Sequence, residues 1–321
     1  MRKCSIVLFL AIVLLLCVSC ITAYLIPVSK PQTIDNPFRY EQSNYIELDE
    51  MSIHYRIFRS NNGQVRGKLL LIHGFGGSTA SFENLFEPLV SEGYLVLAVD
   101  LPGFGYSMRS DAIDHSQEAR ATLLWKLIET IDQDQTMKWH LMGHSMGGAV
   151  VATMALQRPD RYLSLILVDP AFTVDNRSVS FPVWFAPAVR WAQVYIEHIL
   201  SRESKVAKLL EDGFKRKPTK EEVLRYLEPL KIPGTARGAK AIVKTSTDVS
   251  IRQLQGIYKP VLAIWGALDD WTPASISEAL VQSVSQVDIV VIEEAGHFPF
   301  ETHPEQTLDA ILHHLAIFDD E

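Results

Sequence analysis

Cysteine is almost absent from this chain of 321 residues. Its three cysteines, Cys4, Cys17 and Cys20, all lie within the first 20 positions. The rest of the chain therefore has no disulfide, no thiolate metal site and no cysteine nucleophile. The zinc-binding patterns HExxH and HxxEH are missing as well. We expect no metal and no organic cofactor, so any chemistry must come from hydroxyl, imidazole and carboxylate groups.

The chain also has no long run of basic residues. Its 30 Lys and Arg residues face 38 Asp and Glu residues, which gives a formal net charge of −8. Because binding to phosphates requires clustered basic side chains, nucleic acid is excluded as a partner. A hydrophobic fraction of 47%, with 17 glycines and 16 prolines, excludes disordered and collagen-like chains.

The N-terminal segment is uncharged from Cys4 to Ser29, after Arg2 and Lys3. This length is sufficient for one helix through a bilayer. Three interpretations stay open: a retained signal-anchor helix, a cleaved signal peptide, and a lipoprotein indicated by the lipobox-like Val18-Ser19-Cys20. Since basic residues favour the cytoplasmic side, we expect a membrane-anchored protein with its main body on the non-cytoplasmic side, or a protein secreted after cleavage.

Short apolar runs alternate with longer helical patterns beyond residue 45. Continuous apolar runs are typical of strands that are buried on both faces of a parallel sheet. The pattern predicts an α/β protein with a mostly parallel sheet, helices on both faces, and ligands at the carboxyl ends of the strands. After a hairpin of Tyr45–Leu48 and Ile53–Phe58, the predicted strands are Lys68–His73, Tyr94–Asp100, Trp139–Met142, Leu163–Val168, Val261–Trp265 and Val287–Ile292.

Helical patterns without a clear strand interrupt this alternation after residue 170. One of these helices begins at a capping box formed by Thr219 and Glu222. An all-helical insertion between two strands predicts a cap over the strand ends. We therefore divide the chain into a hydrophobic segment (1–28), a tether (29–44), an α/β core (45–170 and 257–321) and a helical cap (171–256).

The sequence Gly143-His144-Ser145-Met146-Gly147 joins a predicted strand to a predicted helix. This is the G-x-S-x-G pattern of a nucleophile elbow, in which a tight turn exposes the serine hydroxyl. The glycines permit close approach of strand and helix, and the helix N-terminus favours negative charge beside the serine. The pattern predicts Ser145 as a nucleophile.

A glycine-rich turn, His73-Gly74-Phe75-Gly76-Gly77, follows the strand at 68–73. It brings backbone N–H groups to the same edge of the sheet as the serine. We expect the amides of Phe75 and Met146 to form an oxyanion hole. A dinucleotide site is the competing interpretation, but neither this turn nor Gly103-Phe104-Gly105 completes G-x-G-x-x-G.

A serine hydroxyl needs a base to become nucleophilic. Of the ten histidines, His297 is the candidate, because it follows the last predicted strand in a short loop. His303 is its main competitor. His144 is expected to point away from the serine, and His313 and His314 lie on the terminal helix.

The base needs a carboxylate to orient it. The loop after the strand at 261–265 contains Asp269 and Asp270, of which we favour Asp269, and Asp169 after the strand at 163–168 is a third candidate. The order Ser145, Asp269, His297 is the one expected for a nucleophile elbow in this architecture.

The chain resembles the α/β-hydrolase superfamily from about Tyr45 to Phe318. The resemblance implies the α/β-hydrolase fold with a helical cap, and relatives with the pattern G-x-x-D-x-x-x-P have their acid at the position of Asp269. Ser145 departs from haloalkane dehalogenases and epoxide hydrolases, which have Asp there. The likeness extends to membrane-anchored monoacylglycerol-lipase-like serine hydrolases and to C–C bond hydrolases. It rests on HGFGGS (73–78), DLPGFGYS (100–107), GHSMGG (143–148), LILVDPA (165–171), WGALDDWTP (265–273) and GHFPFETHPE (296–305).

The residues and the resemblance together predict a serine hydrolase that cleaves a small-molecule carboxylic ester, apolar or lipid-like in its acyl part, through an acyl-enzyme. The same triad also fits a C–C hydrolase, an amidase, a thioesterase or an acyltransferase. A non-catalytic ligand-binding protein is less favoured because no triad residue is lost. The expected substrate-binding side chains are Phe75, Trp184, Phe185 and Phe298, and the oligomeric state stays open.

Overall fold

An eight-stranded sheet in the order β1-β2-β4-β3-β5-β6-β7-β8 forms the centre of the molecule. The computed structural model describes residues 2–31, 39–60, 65–134, 136–174 and 186–318, with side chains in the first helix at 13–15 and from 17 onward. The strands are β1 (Ser43–Leu48), β2 (Met51–Phe58), β3 (Gly67–Ile72), β4 (Tyr94–Val99), β5 (Trp139–His144), β6 (Tyr162–Val168), β7 (Val261–Gly266) and β8 (Val287–Ile292).

The sheet is antiparallel at one edge and parallel elsewhere. Strand β1 pairs with β2, and β2 with β4, in antiparallel register, whereas β3 to β8 pair in parallel. Asp49 and Glu50 form the hairpin turn with φ of 49° and 63°, the positive values that a two-residue hairpin turn requires. The predicted mostly parallel sheet and its opening hairpin are therefore confirmed.

Helices cover both faces of the sheet, as predicted. Leu70 and Ile72 of β3 belong to one apolar core, while Leu69 and Leu71 belong to the other, because successive strand residues point to opposite faces. The first core packs against α3 (Gln117–Ile131), α4 (Met146–Gln157) and α9 (Ser277–Ser283); the second packs against α2 (Glu83–Ser91) and α11 (Pro304–Leu315), with a short α10 (Pro299–Thr302) before α11.

Four helices lie between β6 and β7 in the part of the chain that the structure describes. Thr219 caps one of them: its hydroxyl accepts from Glu222 N–H at 3.2 Å, and the Glu222 carboxylate accepts from Thr219 N–H at 2.6 Å. The capping box read from the sequence thus starts this helix. The four are α5 (Ala186–Tyr195), which continues into a π-helical turn (Ile196–Leu200), α6 (Glu203–Phe214), α7 (Lys220–Leu230) and α8 (Thr235–Thr245).

The N-terminal helix α1 (Arg2–Leu25) packs on this insertion by its carboxyl end. Ala23 is fully buried, and the Arg190 guanidinium of α5 donates to the carbonyl oxygens of Ala23 and Ile26 at 3.0 and 2.6 Å. Within the described residues, no helix combines the length and hydropathy that crossing a membrane requires. The predicted anchoring of residues 1–28 in a membrane, and the localisation based on it, are therefore wrong, and the described end of this apolar helix contacts protein.

Candidate active site

The candidate site lies where the parallel strands end. Strand β5 ends at His144 and α4 begins at Met146, which leaves Ser145 alone in the turn between them. Ser145 has φ of 52° and ψ of −118°, a conformation that costs free energy in a non-glycine residue. Its N–H donates to Val168 O at 2.9 Å. The turn is thus fixed to the end of β6 and leaves the serine side chain half-buried.

Close backbone contacts explain the glycines on both sides of Ser145. A Cβ atom at Gly147 would lie 2.2 Å from Ile72 O, and one at Gly143 would lie 2.2 Å from Gly147 O. A Cβ atom at Gly74 would lie 3.0 Å from Ser145 Cβ. The turn after β3 and the turn after β5 therefore touch, and a methyl group at Gly143 or Gly147 would separate strand from helix.

Two amides at this contact have no acceptor within the described chain. Met146 is the first residue of α4, so its N–H has no intrahelical partner. The Phe75 N–H likewise donates to no backbone oxygen of the described residues. Both lie in the two turns that meet at Ser145, and their proposed part in an oxyanion hole stays a prediction.

His297 and Asp269 form a buried pair at the neighbouring strand ends. His297 Nδ1 lies 2.8 Å from Asp269 Oδ2, and both side chains are at most 4% exposed. Asp269 also accepts from Trp271 N–H and Thr272 N–H at 2.8 and 3.2 Å. Burial by itself raises the pKa of Asp269, but the hydrogen bond and charge of His297 outweigh it and hold that pKa well below its usual value.

The competing candidates lie elsewhere or have other partners. Asp270 is exposed and its carboxylate binds Lys215 Nζ at 2.8 Å. His303 precedes α11, and its Nδ1 lies 2.9 Å from the Thr302 hydroxyl. Asp169, the third acid candidate, is buried within 4.8 Å of the His297–Asp269 pair. The structure therefore brings two of the three acid candidates to His297.

His144 is closer to the pair than the sequence indicated. Its ring centroid lies 4.7 Å from that of His297, and its Nε2 lies 2.8 Å from His297 O. Burial, followed by the charge of His297, lowers the pKa of His144 well below its usual value. A neutral His144 therefore donates through Nε2 and ties the histidine loop to the residue before Ser145. Nothing in the sequence distinguishes this role from that of an ordinary elbow residue.

Two further residues of the Asp269 loop contact the His297–Asp269 pair and were not predicted from the sequence. The Thr272 hydroxyl lies 2.7 Å from Asp269 Oδ2 and 3.3 Å from His297 Nδ1. The Trp271 ring lies 4.9 Å from the His297 ring, and its Nε1 donates to Asp212 of α6 at 2.7 Å. A threonine three residues after an aspartate, which favours a local side-chain turn, was the available signal for Thr272.

Helix α6 of the insertion holds the histidine loop directly. His297 N–H donates to Gly213 O at 2.8 Å, and a Cβ atom at Gly213 would lie 2.5 Å from the Phe298 ring. Phe298 is 6% exposed and packs edge-on against Phe214 at 5.2 Å and Tyr226 at 5.9 Å. This aromatic cluster connects the insertion to His297.

The predicted substrate-binding side chains differ in their surroundings. Phe75 is 67% exposed and makes an edge contact with Phe104 at 5.4 Å. Phe298, by contrast, is buried under the histidine loop. Trp184 and Phe185 lie outside the described residues. All four assignments stay predictions.

One cluster of the described residues has the spacing of a metal site. The donor atoms of Asp169, Asp269 and His297 all lie within 4.8 Å of one another. Asp269 Oδ2 is already engaged by His297 Nδ1 and by the Thr272 hydroxyl. The arrangement is that of a hydrogen-bonded histidine–carboxylate pair beside a second carboxyl group.

Comparison with known proteins agrees with the fold. Lipase 1 of Psychrobacter immobilis is 27% identical over 267 residues, 78% of this chain and 77% of that protein. The uncharacterized hydrolase YugF of Bacillus subtilis is 26% identical over 273 residues, 84% of this chain and 95% of that protein. A solved membrane phospholipase A, described as a bacterial virulence factor, aligns with a TM-score of 0.70 at 24% identity over 100% of both chains, which shows likeness of fold alone.

The family model with the description alpha/beta hydrolase fold matches residues 68–304, well over half of the chain. The match begins within β3 and ends at the first residue of α11, so it includes the elbow, the insertion and the histidine loop. This chain therefore belongs to the α/β-hydrolase fold family and is a hydrolase.

Proposed function

We propose that this protein is a serine hydrolase that cleaves carboxylic esters with an apolar acyl part through an acyl-enzyme. One observation carries the proposal: a buried histidine–carboxylate pair, 2.8 Å apart, lies next to a strained serine turn. His144 connects the two directly, because it precedes Ser145 in the chain and bonds to His297 O. This combination of base, orienting acid and half-buried serine nucleophile is the one that acyl transfer requires.

In the first half-reaction, His297 Nε2 takes the proton of the Ser145 hydroxyl while Oγ attacks the ester carbonyl carbon. Asp269, bonded to Nδ1, fixes the tautomer that leaves Nε2 free and stabilises the imidazolium that forms. The amides of Phe75 and Met146 hold the negative oxygen of the tetrahedral intermediate. The imidazolium then gives its proton to the departing alcohol, and an acyl-serine remains.

In the second half-reaction, water attacks the acyl-serine carbonyl carbon and gives its proton to His297. The same two amides stabilise the second tetrahedral intermediate. Its collapse releases the carboxylic acid, and the proton on His297 returns to Ser145 Oγ. Each half-reaction thus ends with His297 neutral and ready for the next.

Apolar side chains near the serine support an apolar acyl part. Phe75 and Leu268 are exposed at 67% and 46%, next to the proposed oxyanion amide and to Asp269 respectively. Trp271, in contact with His297, is 38% exposed. When a hydrocarbon chain covers large exposed apolar side chains, apolar surface is removed from water, and this favours binding of the chain. A lipase among the relatives is consistent with this substrate class.

The Ser145→Ala variant tests the reaction. We expect kcat/KM for p-nitrophenyl butyrate to fall by about 10³-fold or more, because the nucleophile is lost. A fluorophosphonate probe should label wild type at Ser145 and leave the variant unlabelled. Ser43→Ala is the matched control, because Ser43 also bonds to a histidine, and it should keep both activity and label. Equal hydrolysis by wild type and Ser145→Ala would refute the proposal.

A series of p-nitrophenyl esters from acetate to laurate tests the acyl specificity. We expect kcat/KM to rise from acetate to chains of medium length, since each buried methylene contributes about 0.8 kcal/mol. A maximum at acetate would contradict an apolar acyl site while leaving the serine mechanism intact.

A further inference from the structure

Asp169 is a buried carboxyl group to which the mechanism above gives no part. It follows β6, has φ of 42°, and is 0% exposed. Its N–H donates to Ile264 O at 2.8 Å, and its Oδ1 accepts from Gly266 N–H at 3.0 Å. The end of β7 thus fixes both its backbone and one of its carboxyl oxygens.

The other oxygen, Oδ2, is buried. It accepts no hydrogen bond from the described residues. Donor atoms of Asp169, Asp269 and His297 nevertheless lie within 4.8 Å of one another. Thr272 lies between them, with its hydroxyl 3.0 Å from Asp169 O and 2.7 Å from Asp269 Oδ2. A fixed, buried carboxyl group without a structural partner for Oδ2 therefore stands beside the orienting acid.

The pKa values of the two carboxyl groups are shifted in opposite directions. Burial, followed by the negative charge of Asp269, raises the pKa of Asp169 well above its usual value. The pKa of Asp269 is held low by His297, as described above. Two carboxylates this close disfavour double ionisation. These shifts favour one negative charge and one proton on the pair. Asp269 and His297 are the titratable groups that face Asp169, and Gly266 N–H is the polar donor.

We propose that Asp169 and Asp269 act as one acid unit, whose single negative charge supports His297 and can reside on either carboxyl group. In wild type the charge resides on Asp269, and Asp169 keeps its proton. When Asp269 is removed, Asp169 releases that proton to solvent and supplies the carboxylate beside His297. Asp169 is thus a positioning residue that acts through the histidine, and the inference rests on the proposed function.

A double-mutant cycle on kcat/KM for p-nitrophenyl butyrate tests this inference. Asp169→Asn, the first single variant, keeps the size of the side chain and the acceptor for Gly266 N–H but cannot supply a negative charge. Asp269→Ala should lower kcat/KM by about 10- to 100-fold. In the double variant, kcat/KM should be at least about tenfold lower than the value expected if the two single effects simply multiplied, because no carboxylate remains beside His297.

The pH profile distinguishes this role from simple packing. Between Asp269→Ala and the double variant, the acidic half-maximum of kcat/KM should move down by about one pH unit, because the imidazolium form of the base loses a negative neighbour. A packing role would not move it. Asp132→Asn is the matched control, because Asp132 is a half-buried carboxylate after α3 that binds Lys68 and Trp139. It should combine with Asp269→Ala without coupling.

Additive effects of the two substitutions with an unmoved pH profile would overturn the inference. So would a loss of about 10⁴-fold in Asp269→Ala alone, a result that does not depend on how the Asp169 variant folds. In either case an inactive Ser145→Ala would leave the serine mechanism standing, so the two proposals fail separately.

Discussion

The molecule contains two Ser–His–Asp constellations, and in both a histidine Nδ1 lies within hydrogen-bonding distance of an aspartate carboxylate. In the first, His297 Nδ1 lies 2.8 Å from Asp269 and the histidine loop adjoins Ser145. In the second, at the hairpin edge of the sheet, His54 Nδ1 lies 2.7 Å from Asp100 Oδ2. Its Nε2 lies 2.9 Å from Ser43 Oγ.

The difference between the two lies in the backbone around the serine. Ser43 starts an ordinary strand, is 5% exposed, and its hydroxyl accepts from Tyr40 N–H at 3.0 Å. Ser145 lies in a strained turn before a helix N-terminus and beside two amides that have no acceptor among the described residues. We therefore expect a hydrogen-bonded row of serine, histidine and aspartate to be insufficient for catalysis. The strained turn, the amides and access to substrate separate a candidate active site from a structural network.

Asp100 shows what the second constellation does instead. Besides His54 it accepts from Thr79 N–H at 2.6 Å and from Tyr106 N–H at 2.7 Å. Burial alone raises the pKa of Asp100, but the charge of His54 and these donors lower it below its usual value. The carboxylate thus holds together the hairpin, the turn after β3 and the loop after β4.

The largest expected contrast comes from removing each histidine. His297→Ala should lower kcat/KM by about 10³-fold or more, since the base is lost. His54→Ala should leave kcat per folded molecule within about threefold but lower the free energy of unfolding by about 1–3 kcal/mol, because buried partners lose a hydrogen bond. Ester hydrolysis and urea unfolding measure the two effects. An inactive but stable His54→Ala protein would show that our division between the two networks is wrong.

A smaller contrast concerns Glu301, which links the insertion to the first constellation. Its carboxyl group accepts from the Tyr226 hydroxyl of α7, and burial raises its pKa to about 8. Because the folded-state pKa is raised, the proton stabilises the fold fully below about pH 4.5, and this stability is lost as the pH rises toward and through about 8. Wild type should therefore unfold more easily at pH 9 than at pH 5.

The Glu301→Gln variant isolates this effect, since a neutral amide keeps an acceptor for Tyr226 and has no proton to lose. At pH 9 it should be more stable than wild type by more than about 1.4 kcal/mol, the equivalent of one pKa unit. At pH 5 the two should be similar. Urea unfolding across pH 5–9 measures the difference, and parallel curves for the two proteins would contradict the prediction.

The smallest expected effect is that of Ser43→Ala. It removes one hydrogen bond to His54 and should lower the free energy of unfolding by about 0.5–1.5 kcal/mol. Ester hydrolysis should be unchanged. A loss of activity comparable to that of Ser145→Ala would mean that the second constellation takes part in the reaction.

The strands could be predicted closely because their apolar runs are continuous. The predicted strand Val287–Ile292 has the observed bounds, and Trp139–Met142 differs from β5 only at its end. The turn glycines and the capping box at Thr219 were equally readable, since each is required by local backbone geometry. Local sequence motifs and hydrophobic periodicity therefore predicted most of the fold and the positions of the candidate site residues along the chain.

Other features depend on contacts between distant parts of the chain. The position of His144 against His297 and the meeting of Asp169 with Asp269 follow from the order of strands in the sheet, which no local pattern contains. The membrane span predicted from the apolar run at the N-terminus is a separate error, because no helix of the described residues has the length and hydropathy that a span requires.

Residues 26–31 form several hydrogen bonds with the helical insertion. Ser29 binds Glu197 through its N–H and Arg237 through its carbonyl oxygen, at 3.2 and 3.0 Å, and its hydroxyl accepts from Gly234 N–H at 3.1 Å. These bonds add to the contacts that α6 makes with the histidine loop through Gly213 and with Trp271 through Asp212. We therefore expect the segment before β1 to oppose movement of the insertion away from the strand ends.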